Sequence, residues 1–249
     1  MAGRDLEGGA VMRLGLSSAA APDASLDELL GACARRGLEA LELRAGDAHG
    51  VDREDALAAL LAAECARAAG VTISGYRVAG SEDPLRLARL CEALGAPVLL
   101  ADEGDIAQRV VSARRLAAAG ADVVVVVRGA AVCRDADAIA ALGLALAWDA
   151  EPAERPLGRD AETLLRDHGP RLQHIALFGG GPEAVMHEGR GVGELMGRLA
   201  LAGYTGTLTL TPGARKYDVA WQTWLGRRGG WGCGSKTSDR TLVDLGSGA

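Results

Sequence analysis

The sequence predicts a single (β/α)8 TIM barrel with a Gly/Ser-rich C-terminal tail. Three observations carry this reading. Short apolar runs alternate with helical patterns along most of the chain. The strand-then-helix unit returns after roughly 25–30 residues, the length of a parallel crossover. Eight such units follow one another, more than a six-stranded doubly wound sheet can use.

The first strand is "MRLGLSS" (12–18), and "SLDELLGACARRG" follows it, opened by Ser25 as N-cap and closed by Gly37. "ALELR" (40–44) is the second strand, and its helical pattern runs from Asp52 to Gly70. The third, "VTISGYRV" (71–78), leads into a helix N-capped by Asp83. "PVLLAD" (97–102) is paired with a helix that closes at Gly120. The fifth strand, "DVVVVVRG" (122–129), has the apolar run of a strand buried on both faces, yet it ends on Arg128. "DADAIAALG" then leads to "LALAWDA" (144–150), and "AETLLRDHG" to "LQHIALFGG" (172–180). A helix closing at Gly203, the strand "GTLTLTP" (206–212) and a last helical pattern at 217–229 complete the eight units. Residues 1–11 form an N-terminal extension, 12–228 the barrel, and 229–249 the tail.

Composition narrows the function classes. Hydrophobic residues make up 49% of the 249, enough to bury a full core. The net charge is −6 and basic residues do not cluster, which argues against nucleic acid. The start, "MAGRDLEGGAVMRLGL", has no apolar leader segment, and no apolar run is long enough to span a bilayer. Five cysteines without C-x-x-C spacing read as reduced thiols of a cytoplasmic protein. Cys33, Cys65 and Cys91 lie in Ala/Leu-rich helical stretches and are expected to be small buried hydrophobes. His168, at a helix end, is expected to be a surface charge.

TIM-barrel sites lie at the C-terminal ends of the strands. The polar strand-end residues are Ser17, Ser18, Glu42, Arg44, Tyr76, Arg77, Asp102, Arg128, Asp149, His174, Thr209 and Thr211. The loops add His49, Glu151, His187, Glu188 and Lys216.

"MRLGLSSAAAPDASLDELLGACARRGLEALELR" resembles the first two units of the xylose isomerase-like TIM barrels, the sugar phosphate isomerase/epimerase group. The resemblance continues through "ALAWDA", "LQHIALFGGG" and "AGYTGTLTLTPGARKYDVAW" and covers about residues 12–225. It implies a divalent metal held by a Glu after strand five, an Asp after strand six, a His or Gln in strand seven and a Glu after strand eight. At those positions this chain has Arg128, Asp149, Ala176 and Thr211. One carboxylate and one threonine do not make the oxygen cage that Mg²⁺ or Mn²⁺ requires. No metal and no other cofactor is therefore expected at that site.

Strands five and six are neighbours, about 4.8 Å apart, so an Arg128–Asp149 ion pair is expected where the metal would sit. That pair admits two roles. It either plugs a lost ligand set, or Arg128 takes over the ion's electrostatic work with Asp149 or Glu42 as general base. A relocated metal site drawn from Asp149, His174, His187 and Glu188 is the third alternative. Arg44, His49, Tyr76, Arg77, His174 and Lys216 are the candidate substrate contacts.

The expectation is a metal-independent relative of sugar isomerases and epimerases, with isomerase-, epimerase- or lyase-like chemistry on a small polar, anionic molecule. A specialised biosynthetic pathway would suit such a repurposed barrel. The alternative is a non-catalytic scaffold with a plugged mouth, whose tail docks a protein partner. A homodimer is compatible with either.

Overall fold

The computed structural model describes residues 12–51, 56–80, 82–101, 104–150, 159–179 and 197–212. Eight parallel strands close into a barrel in sequence order, β8 pairing back onto β1. The strands are β1 (Arg13–Ser17), β2 (Ala40–Arg44), β3 (Thr72–Val78), β4 (Val98–Leu100), β5 (Val123–Arg128), β6 (Ala145–Ala150), β7 (Leu172–Gly179) and β8 (Thr207–Pro212). Between them run α1 (Leu26–Arg36), α2 (Ala56–Ala68), α3 (Pro84–Leu94), α4 (Ile106–Ala118), α5 (Val132–Ala140) and α6 (Arg159–His168), and 197–201 is helical before β8. The fold is the barrel the sequence predicts. The eighth helical pattern, the N-terminal extension and the tail lie outside the described residues.

Local chemistry sets the helix ends as expected. Ser25 caps α1 in a reciprocal box with Glu28, and Asp83 caps α3 with Pro84 in the first turn. Gly37 ends α1 in the left-handed conformation that costs other residues strain. Asp52 lies outside the described residues.

Two apolar layers hold the barrel. The larger one lies between sheet and helices and includes Leu41, Leu43, Tyr76, Val125, Val127, Trp148 and Leu210. The smaller one, Leu99, Val124, Val126 and Ala147, fills the interior on the β4–β6 side. Gly75 on β3 belongs to this packing, because a Cβ there would stand 2.6 Å from Leu99 Cδ1. The rest of the interior is polar, with Ser17, Glu42, Arg77, Asp149, His174 and Thr209 all buried.

Two strands carry one extra residue each, and this decides what faces the interior. Leu41 pairs with Ile73 but Glu42 pairs with Gly75, so Ser74 is bulged out of register in β3. Leu146 pairs with Leu172 but Ala147 pairs with His174, so Gln173 is the extra residue of β7. Because side chains alternate along a strand, each bulge exchanges the faces of everything after it. In β3 it turns Arg77 inward and Tyr76 into the sheet–helix core. In β7 it sets His174 on the same face as inner-layer Ala147.

Cys33 and Cys91 are buried as expected, and burial pushes both thiols up to about 12. Cys65 departs from expectation. It is exposed on α2, a helix that also leaves Leu57, Leu60 and Leu61 in solvent. His168 departs the other way, being buried with Nε2 3.0 Å from Asp137 Oδ1.

Candidate active site

The expected Arg128–Asp149 ion pair does not form. The two residues are register partners on β5 and β6, but Arg128 is exposed and has no ion-pair partner among the described residues. Asp149 instead accepts two hydrogen bonds from Arg77, which reaches across the barrel from β3. Nη1 donates to Oδ2 at 3.1 Å and Nη2 to Oδ1 at 3.0 Å. The other edge of the same guanidinium binds Glu42 on β2, Nε to Oε1 at 2.9 Å and Nη2 to Oε2 at 3.2 Å. A planar fork that donates on two edges suits Arg and would not be reproduced by Lys.

Glu42 is the best-satisfied member. It also accepts from Ser17 Oγ at 2.9 Å, and His174 Nε2 stands 2.8 Å from its Oε2. His174 Nε2 lies 3.0 Å from Thr209 Oγ1 as well. Residues from β1, β2, β3, β6, β7 and β8 thus meet in one network inside the barrel. Glu42 is fully shielded, whereas the Arg77 and Asp149 side chains keep 10% and 5% of their exposure.

The two carboxylates are driven apart in proton affinity. Burial alone would raise Glu42, but the Arg77 charge and the His174 and Arg77 hydrogen bonds outweigh it, and its carboxyl sits well below the usual range. Burial raises Asp149, and its two bonds to Arg77 do not fully offset this; the nearby Glu42 charge adds to the rise. Arg77 loses solvation on burial, yet Glu42 and Asp149 hold it charged. One cation between two anions can compensate only one of them fully, and the donor count decides for Glu42. Asp149 is therefore the carboxylate of higher proton affinity in the pair.

Arg77 has five N–H groups, and four of them are spent on the two carboxylates. The remaining one is on Nη1, beside Asp149. Thr211, at the end of β8, is buried and its Oγ1 has no partner among the described residues.

The other predicted contacts are distributed as follows. His49 is buried and spends both ring nitrogens on the main chain, Nε2 on Arg44 O and Nδ1 on the Val51 N–H. It pins the loop after β2. Arg44 is exposed at the end of β2. Tyr76 is fully buried in the sheet–helix core, which removes it from the mouth. Lys216, Asp102, Glu151, His187 and Glu188 lie outside the described residues.

A divalent cation does not fit the described residues of this site. The Arg77 guanidinium stands between the two carboxylates, and Ala176 offers no donor. Among the described residues, no three His, Cys, Asp or Glu side chains converge as a metal site.

The bridge was not legible because strict alternation in "VTISGYRV" puts Tyr76, not Arg77, on the Ser74 face. The signal was the small Ser74–Gly75 pair in a strand, a mark of a bulge or a close approach.

No protein-family model matches the chain, and no curated protein sequence matches it. Solved structures do. A xylose isomerase domain-containing protein from Salmonella typhimurium LT2 is 14% identical with a TM-score of 0.57, covering 90% of this chain and 97% of its own. D-psicose 3-epimerase from Clostridium cellulolyticum H10, solved with D-tagatose, is 16% identical with a TM-score of 0.59, covering 86% and 89%. The IOLI protein, solved with a bound zinc atom, is 12% identical with a TM-score of 0.60, covering 86% and 94%. The fold is that of the xylose isomerase-like TIM barrels. No helix among the described residues is long and apolar enough to cross a membrane.

Proposed function

We propose that this barrel is a metal-independent relative of the sugar isomerases and epimerases, acting on a small polar, anionic molecule at its C-terminal mouth. The observation that carries the reading is the Glu42–Arg77–Asp149 bridge, in which Arg77 supplies a fixed positive charge and Asp149 is the carboxylate with raised proton affinity. Glu42 is a positioning residue. It holds the guanidinium, as Ser17 and His174 hold Glu42.

The chemistry this supports is proton transfer at a carbon next to a carbonyl. Asp149 takes the proton, the C–H pair becomes the C=C bond of an enolate, and the enolate oxygen accepts the remaining Nη1–H of Arg77. Return of the proton to the former carbonyl carbon, with the neighbouring hydroxyl passing its own proton to the enolate oxygen, gives isomerisation; protonation of the original carbon on the opposite face gives epimerisation. Proton affinity raised toward the working pH improves a general base. A charge fixed before reaction stabilises the oxyanion without reorganisation. The exposed guanidinium groups of Arg44 and Arg128 suit a substrate carboxylate or phosphate. Similarity of fold to sugar epimerases supports the substrate class by analogy. Reduced thiols fit a cytoplasmic setting, and such chemistry would suit a specialised biosynthetic pathway.

A second reading has its own support. Every member of the network is at least nine-tenths buried and nearly saturated with hydrogen bonds, as in a plugged, non-catalytic barrel with a scaffolding role. Solvent-deuterium exchange separates the two. Ketoses, aldoses and their phosphates incubated with the protein in D2O should gain deuterium at the carbon beside the carbonyl. Asp149→Asn should abolish this while keeping the fold. No exchange with any such compound, or exchange that survives in Asp149→Asn, would contradict the catalytic reading.

A further inference from the structure

The opposite end of the barrel holds a cavity of about 540 Å³. Its walls come from the starts of β3, β4, β5, β7 and β8 and the turns before them, so it opens on the N-terminal face. It is lined by both bulge residues, Ser74 and Gln173, and reaches His174, which is also the floor of the network above. TIM-barrel interiors are normally filled by layers of side chains, so an open well of this size is a departure.

Two polar atoms on residues of this well have no hydrogen-bond partner among the described residues, Ser74 Oγ and His174 Nδ1. His174 is 1% exposed. Its Nε2 faces the ionised Glu42 carboxylate, an acceptor, so in the neutral ring Nε2 carries the hydrogen and Nδ1 is a bare acceptor. Thr209 Oγ1, which can donate to Ile175 O, is a second acceptor for that Nε2–H. What His174 lacks is a donor from below. A buried polar group left without a partner is unfavourable, so a ligand that supplies one is favoured.

From this we infer a second ligand site, for a neutral polyhydroxylated molecule of monosaccharide or sugar-alcohol size, entering from the N-terminal face. Its volume lies in the range of small-molecule pockets, about 300–1,000 Å³. Hydroxyl groups can donate to His174 Nδ1 and exchange bonds with Ser74 Oγ and the buried Thr207. The C–H faces of a polyol fit against Leu99 and Val124 on the other wall. The two charged lining residues, Arg13 and Asp122, are of opposite sign, which favours a neutral ligand over an anion. The site does not depend on the chemistry proposed for the mouth.

The test uses the full chain, labelled with ¹⁵N in its histidine rings, titrated with millimolar xylitol and D-glucose. The expected result is a saturable shift of the His174 Nδ1 resonance, retained in Asp149→Asn. Thr207→Val, which keeps the shape and the main-chain bond from Tyr204, should weaken it by roughly 3- to 10-fold, the worth of one hydrogen bond. Ser74→Val should do the same, and melting curves of both variants establish that they fold. Three outcomes would overturn the site: no saturable shift, a shift indifferent to both variants, or a shift lost in Asp149→Asn, which would locate the polyol at the mouth.

Discussion

Arg77 and Asp149 stand 72 residues apart in sequence and meet inside the barrel through two near-parallel hydrogen bonds of 3.1 and 3.0 Å. A guanidinium thus occupies the position beside the one carboxylate retained from the ligand set that the resemblance implies. Since Arg77 comes from β3, which contributes none of those ligands, the replacement is a new arrangement and not a swap of one ligand for its neighbour.

Removing Arg77 leaves two carboxylates buried together. Arg77→Met should cost roughly 3–5 kcal/mol in urea unfolding, as breaking a buried ion pair does. Adding Glu42→Gln and Asp149→Asn removes the unpaired charges and should recover a large part of that loss. An Arg77→Met protein as stable as the parent would show that the bridge carries no structural weight.

The two carboxylates predict opposite pH slopes. Glu42 is lowered in the folded state, so its contribution is present above its ordinary value of 4.5 and is lost as pH falls below it. Asp149 is raised, so its contribution is present below its ordinary value of 3.8 and is lost as pH rises through the elevated folded value. Urea midpoints measured against pH should therefore lose part of their acid-side drop in Glu42→Gln. In Asp149→Asn they should lose part of the decline above 3.8. Identical profiles for the two variants would contradict the higher proton affinity of Asp149.

A Cβ added at Gly75 of β3 would stand 2.6 Å from Leu99 Cδ1. Gly75→Ala should destabilise by roughly 1–3 kcal/mol through overpacking. Combining it with Leu99→Val should relieve much of this, giving a coupling energy between the two sites. Additive effects in thermal unfolding would contradict the contact.

Cysteine chemistry should divide by burial. Cys33 and Cys91, with thiols pushed up to about 12, should resist alkylation until the protein unfolds. The exposed Cys65 should react in the native state. Peptide mapping after a timed iodoacetamide pulse reads the difference.

The barrel was legible because its signals are local and repeated: apolar runs, caps such as Ser25, glycines such as Gly37. Asp149 and Glu42 were legible as strand-end carboxylates. Their partner was not, since a single inserted residue in β3 moves Arg77 inward and Tyr76 outward, and only the small Ser74–Gly75 pair marks that insertion. Arg128 was a reasonable partner by register, and its backbone does sit beside Asp149. Arg77 reaches the carboxylate first because its strand faces it across a polar interior, while Arg128 is left at the rim in water. Cys65 and His168 failed for a related reason. A helix with apolar residues on several faces does not announce which one packs, and a helix-end histidine can be buried against a neighbouring helix, as His168 is beside Asp137 of α5.

The most direct test of the central claim is metal content by elemental mass spectrometry, taken with melting curves in EDTA and in added Mn²⁺, Mg²⁺ or Zn²⁺. A ligand that binds only the folded state must raise its melting temperature. With Arg77 serving as the internal cation, the purified protein should carry no stoichiometric metal, and neither chelator nor ion should shift the transition. Stoichiometric metal together with a melting point that falls in EDTA would contradict the account and restore a metal-dependent isomerase.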